Sequence, residues 1–212
     1  MKKIIILFFA TTFSISVFSQ GFGLKGGLNI ANGTGADMPN NVSSKTGIYI
    51  GIFSHHGDGG IRWSPEITYQ KKGVEFTVAG ETGDYVSLNY IDIAINGQFH
   101  INDELALTGG PYIGYILNGK ADIIYVDLNT GFTTKETNSI SDWDNFNRVD
   151  FGGSFGIMYH LNDLLNIHVN YKIGFTSVLK GEWTDLETGI TRNDPKVYNT
   201  AIQFGVGYLF NY

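Results

Sequence analysis

Leu165-Asn166-Ile167-His168-Val169-Asn170-Tyr171-Lys172-Ile173-Gly174-Phe175-Thr176 sorts its side chains by parity. Every odd position is apolar or aromatic, and every even position is polar or glycine. Period two is the spacing of a β-strand, whose successive side chains point to opposite faces. The run is also long. Soluble strands usually have about 5–6 residues, whereas a tilted membrane-crossing strand needs about 9–11.

The same pattern recurs along the chain. At the C-terminal end Ile202, Phe204, Val206, Tyr208, Phe210 and Tyr212 face one way, and Gln203, Gly205 and Gly207 the other. Six further runs lie near 22–31, 46–55, 61–72, 88–101, 104–119 and 149–160. In the third of these, Ile61, Trp63, Ile67 and Tyr69 oppose Arg62, Ser64, Glu66, Thr68 and Gln70. The links between runs alternate in length. Short ones fall at His56–Gly60, Asn102–Asp103 and Leu161–Asp163, long ones near 32–45, 73–87, 120–148 and 177–198. Eight strands with short turns at one end and long loops at the other is the expected plan of a membrane barrel. His100-Ile-Asn-Asp-Glu-Leu and His160-Leu-Asn-Asp-Leu-Leu repeat across two of the short turns. Asn and Asp favour turns by bonding their own backbone, so the repeat reads as hairpin chemistry.

Composition agrees. The chain has 28 glycines in 212 residues, no cysteine, 14% aromatics and only 16% charged residues. Average soluble usage is about 7% glycine and about 25% charged. A disulfide scaffold and a cysteine zinc site are excluded, and so is a disordered chain. Met1-Lys2-Lys3, the apolar run from Ile4 to Phe18 and the small residues Val17 and Ser19 have the form of a Sec signal peptide, residues 1–19. The mature barrel domain is then 20–212. The formal net charge is −6, so nucleic acid is not an expected partner.

Several stretches now resemble a known family. Gly23-Leu-Lys-Gly-Gly-Leu-Asn29, Pro65-Glu66-Ile-Thr-Tyr69-Gln-Lys-Lys-Gly73, Leu88-Asn-Tyr90-Ile-Asp-Ile93, Gly110-Pro-Tyr-Ile-Gly-Tyr115 and Gly205-Val-Gly-Tyr-Leu-Phe210 are similar, in order and spacing, to strands of the PorT-like, "porin family" outer-membrane β-barrel domain. The resemblance covers 21–212. It departs at Ala94, where the family often has proline, and in the tail Asn211-Tyr212. It implies an outer-membrane location in a Gram-negative-type cell and an up-and-down barrel. It implies no single activity.

Lipid cannot satisfy polar groups, so the apolar parity should face outward. The lumen then receives Lys25, Arg62, Glu66, Asp92, Asp150 and Lys172, three charges of each sign, together with His100 and His168. An eight-stranded barrel is filled by its own side chains, and buried charges must pair. The expectation is a polar salt-bridged plug, with inward glycines making room for Tyr112, Tyr90 or Arg62. A narrow pore for ions or small solutes is the alternative. A soluble lipocalin-like binder is a second alternative and would carry the opposite polarity. Phe99, Tyr159, Phe210 and Tyr212 should form one aromatic girdle, and Tyr69, Tyr115, Phe151 and Phe175 the other.

Sites of chemistry are few. Gly21-Phe-Gly-Leu-Lys-Gly26 matches G-x-G-x-x-G but neither follows a strand nor opens a helix, as a dinucleotide site requires. His55, His56, His100 and His160 are expected at separate, solvated strand ends. No histidine falls in the long loops, so a Ser/His/Asp triad would have to span the barrel. No enzyme activity, catalytic residue, cofactor or metal is therefore expected. The working surface should be the external loops, with Asp142, Trp143, Asp144 and Trp183 as candidates for a protein or glycan partner. Outer-membrane lipid is the other partner, and the barrel is expected to be monomeric.

Overall fold

A computed structural model describes residues 21–39, 41–57, 60–78, 81–126, 133–140, 145–184 and 191–210. The signal-peptide segment 1–19 lies outside the described residues, as do Asp142, Trp143 and Asp144. The elements are β1 (Phe22–Thr34), β2 (Val42–Ser54), β3 (Ile61–Val78), β4 (Glu81–His100), β5 (Leu105–Val126), β6 (Thr133–Ser139), β7 (Val149–His160), β8 (Leu165–Ser177), β9 (Glu182–Thr184), β10 (Thr191–Asn193) and β11 (Tyr198–Leu209).

Eight of these strands close a ring. β1, β2, β3, β4, β5, β7, β8 and β11 pair antiparallel in that order, and β11 returns to β1. The closing register runs from Gly23 opposite Leu209 to Thr34 opposite Tyr198. Closure leaves the ring without a free edge.

The polarity is the reverse of a soluble barrel. Phe155 and Ile61 stand outward, 60% and 71% exposed, whereas Lys72 and Asp92 point inward at 1% and 0%. Ile48, Ile50 and Ile52 of β2, Ile93 and Ile95 of β4 and Ile113 of β5 continue the outer apolar surface. So large an exposed apolar face suits lipid and excludes the lipocalin-like alternative. Tyr69, Tyr115, Phe151 and Phe175 stand outward toward one end, and Phe99, Tyr159 and Phe210 toward the other. Among the described residues no helix is long and apolar enough to cross a membrane, so any crossing is made by strands.

The two repeat turns are built alike. The Asn102 side-chain oxygen accepts from the backbone N–H of Glu104 and Leu105, at 3.0 and 2.7 Å. That of Asn162 accepts from Leu164 and Leu165, both at 2.9 Å. Each turn is also closed through the backbone, most tightly by Ile101 N–H to Leu105 O and Leu161 N–H to Leu165 O, both 2.8 Å.

The opposite end differs from the expected loops. The segment read as a loop at 73–87 is mostly strand, since β3 and β4 pair from Ile61 opposite Phe99 to Val78 opposite Glu81. Beyond the ring β5 continues and pairs with β6, Lys120 opposite Ser139 through Val126 opposite Thr133. β9 and β10 form a further small hairpin. On β6 the residues from Glu136 to Ser139 are exposed on both faces, so that strand carries no alternation to betray it.

Candidate functional site

In the lumen the strands bring buried charged side chains together. The lumen is layered. Deepest in it, Lys72 of β3 stands 3.0 Å from Asp150 of β7 and 3.5 Å from Asp92 of β4. Lys172 of β8 reaches the same Asp92 oxygen at 2.8 Å. Two lysines and two aspartates thus form one neutral cluster, each member at most 2% exposed. Polar neighbours complete it. Tyr112 donates its hydroxyl to Asp150 at 3.2 Å, and the Asn199 amide donates to Asp150 and to Tyr90 O, both at 3.0 Å. Gln70 donates to Asp92, and Gln203 donates to Gln70 at 2.8 Å. The Lys72 ammonium also lies 4.3 Å from the Tyr90 ring centroid and 4.8 Å from that of Tyr112.

Toward the short turns, Lys25 pairs with Glu66, and the Tyr49 hydroxyl meets His168. Below them lies a cavity of about 20 Å3, lined by polar groups such as Ser64, Asn96, Gln98 and Asn166. That is room for about one water.

The expected plug therefore needs one correction. Lys25, Glu66, Asp92, Asp150 and Lys172 are brought together as paired inward charges. Arg62 is not part of these pairs and lies at the short-turn end, opposite Gln98 in the β3–β4 register. The third cation of the plug is Lys72, which the parity reading passed over. Its signal was available, because Lys72 continues the even series Glu66, Thr68 and Gln70 of the same strand.

A second correction concerns the outer end of the lumen, which is apolar. Leu88, Tyr90, Ile116 and Val178 are buried together, with Val86, Ile140, Phe146 and Leu179 packed against them. Val178 and Leu179 enter from the segment after β8, and Phe146 from the one before β7. Asn147 N–H bonds Val178 O at 2.8 Å, and Lys180 N–H bonds Asn145 O at 3.0 Å. Trp183, the described member of the loop candidates, packs edge-on to Phe146 at 5.6 Å between centroids and donates its indole N–H to Lys180 O at 3.1 Å. The lumen is thus capped by an apolar layer above an ion-paired layer.

A third correction concerns the histidines, which are neither separate nor all solvated. His100 and His160 stack at 5.5 Å, and His55 lies edge-on to His160 at 6.4 Å. Their strands do not pair, but a narrow lumen puts non-neighbouring strands face to face. His55 is buried, and its Nε2 meets the Gln98 amide at 3.0 Å. Burial first, then the charges of His160, Arg62, His100 and Lys25, hold its pKa down to about 3. Burial also lowers that of His56, which stacks on Trp63 at 4.4 Å. Among the described residues no three His, Asp or Glu stand in an arrangement that holds a metal ion.

Glycine spacing explains the tight fit. A Cβ on Gly205 would fall 1.9 Å from the Tyr49 hydroxyl, and one on Gly152 would fall 2.5 Å from the Tyr112 ring. Gly114 and Gly174 leave the same kind of room for Asp92 and Asp150, each 2.6 Å away.

Residues 18–180 match a family described as an outer membrane protein beta-barrel domain. No curated protein matches the chain significantly. Among solved structures, Ail of Yersinia pestis is 13% identical, covers 90% of this chain and 99% of its own, and has a TM-score of 0.48. OprG from Pseudomonas aeruginosa is 15% identical over 91% and 97%, with a TM-score of 0.49. Neisserial surface protein A is 12% identical over 88% and 96%, with a TM-score of 0.48.

Proposed function

The chain belongs to the outer membrane protein β-barrel domain family, and from that premise we propose that it is a sealed anchor that holds interaction hairpins outside the cell. Its place is the outer membrane, and its apolar face meets lipid. The observation that carries the proposal is the layered lumen. The apolar cap of Leu88, Ile116 and Val178 overlies the Lys72–Asp92–Lys172–Asp150 cluster. An open ion path would need a continuous file of water, and among the described residues the apolar cap and the paired charges lie across it.

In this reading the lumen charges Lys25, Glu66, Asp92, Asp150 and Lys172, with Lys72 added, hold the barrel rigid. Arg62 faces the histidine end. The barrel is not an enzyme and works as a monomer, and its strand motifs support a PorT-like branch of the family. Residues 1–19 direct export and are removed, leaving 20–212. The short turns lie in the periplasm and the β3–β4, β5–β6 and β9–β10 hairpins outside. There Asp142, Trp143, Asp144 and Trp183 meet a protein or glycan partner.

The orientation is tested with one cysteine in this cysteine-free chain. Thr137→Cys on β6 should react with a membrane-impermeant maleimide on intact cells. Labelling that requires lysis would reverse the assignment of the ends. Binding of glycans or surface proteins that disappears on deleting residues 130–142 would identify the partner side.

A further inference from the structure

The lumen accounts for most buried charge, but it leaves an uneven charge on the outside of the barrel. The lipid-facing row formed by Tyr69, Ile91 and Tyr115 runs across β3, β4 and β5 in direct register. Two residues further along β3 and β4, and three along β5 across a register shift, Lys71, Asn89 and Asn118 form the next outward row. The step is about 7 Å. Lys120 follows on β5. Lys71 and Lys120 are both exposed, and among the described residues neither forms an ion pair. Beside them Arg148 lays its guanidinium 4.8 Å from the Tyr115 ring centroid and donates to the Ile116 and Leu117 carbonyls at 2.9 and 3.3 Å. That fixes a third positive charge at the same height. Asn89 donates to Asn118 between them.

The placement is unusual for this chain. Its formal charge is −6, yet Lys71 and Lys120 stand exposed here, and Glu75, one row beyond Lys120, is held by Lys45 at 3.8 Å. The row begins where the aromatic belt ends, at the depth where hydrocarbon gives way to headgroups. Long cationic side chains at such a boundary extend into the headgroup layer. An aromatic ring below, amide donors between and lysines on either side match a phosphate group held on an acyl-chain anchor.

We propose that the outward row Lys71–Asn89–Asn118–Lys120, flanked by Arg148, is a docking site for the phosphate of a membrane lipid headgroup. That the leaflet is the outer one rests on the orientation proposed above. The contact would fix one side of the barrel to a lipid, so that the barrel carries an annular lipid rather than sliding freely among neutral ones.

The test uses the full mature protein refolded in neutral detergent. It is mixed with equal amounts of phosphatidylglycerol and phosphatidylcholine, and retained lipids are counted by native mass spectrometry. The wild type should retain phosphatidylglycerol in clear excess. Each lysine near an anionic headgroup contributes about fivefold, so Lys71→Gln with Lys120→Gln should bring the ratio close to one. Lys180→Gln with Lys196→Gln removes the same charge away from the row and should leave the preference intact. No preference in the wild type, or equal loss in both double variants, overturns the proposal. The measurement does not depend on orientation, which the Thr137→Cys labelling reports separately. All four lysines are exposed, and heat-modifiable gel migration verifies that each variant is folded.

Discussion

The Lys72 ammonium of β3 stands 3.0 Å from the Asp150 carboxylate of β7, although two strands of the ring separate their chains. This contact spans the lumen rather than following the sheet. It locks opposite walls of the barrel to each other. Both groups are almost fully buried, so neither can fall back on water if the other is removed.

Lys72→Met should therefore leave Asp150 with only the Tyr112 and Asn199 donors. Breaking a buried pair by removing one partner costs about 3–5 kcal/mol. Urea unfolding in micelles, followed by heat-modifiable migration, should show that loss. Lys72→Met combined with Asp150→Asn should recover part of it, since no bare charge then remains. Additive losses in the double variant would show that the two groups do not act as a pair.

Gly205→Ala tests the fit of lumen to wall. The new methyl would strike the Tyr49 hydroxyl, which meets His168. Overpacking of this kind costs about 1–3 kcal/mol. Tyr49→Phe removes the struck oxygen and should restore part of the lost stability to Gly205→Ala. An unfolding midpoint unchanged by Gly205→Ala would mean that Tyr49 is not confined as the geometry indicates.

Acid should weaken the barrel through His55. Its folded pKa of about 3 lies below its unfolded value, which is about 6.5. Between those values the unfolded chain takes up a proton that the folded barrel refuses. The stability from neutral His55 is complete above about pH 6.5 and falls by up to about 1.4 kcal/mol per pH unit toward pH 3. His55→Gln should show a shallower decline over that range. Parallel curves for the two proteins would assign the acid sensitivity elsewhere.

Much of the barrel can be read from parity, as Leu165 to Thr176 shows. One face must be apolar for lipid, and a one-residue slip would invert it. The paired charges Lys25, Glu66, Asp92, Asp150 and Lys172 follow from the same rule. What it misses has physical causes. Lys72 and Leu88 sit where the lipid-facing half of the pattern ends, so their inward direction is visible only by extending the count. Leu88 and Ile116 are apolar and inward, against the rule, because they build a cap rather than a wall. His55, His100 and His160 meet across open space, and strand order carries no record of that. Arg62 has the right parity but the wrong height. β6, Thr133-Thr-Lys-Glu-Thr-Asn-Ser139, has no apolar residue to alternate, and it is exposed on both faces from Glu136 to Ser139.

Deleting residues 130–142 removes β6, which pairs only with the part of β5 above the ring. The eight closing strands remain. The variant should still fold and migrate as a heat-modifiable band, with stability lowered by about 0.5–3 kcal/mol, because Ile140, packed against the apolar cap, goes with the hairpin. Loss of that band would make the hairpin part of the barrel's own stability rather than a working surface.

Conductance in a planar bilayer tests the sealed anchor most directly. Purified wild-type barrel, inserted at high salt, should give no single-channel steps above background, because the Leu88–Ile116–Val178 layer and the ion-paired layer beneath it both close the lumen. Reproducible steps from the wild type that change size in Asp92→Asn would contradict the account and make the lumen charges the lining of a pore.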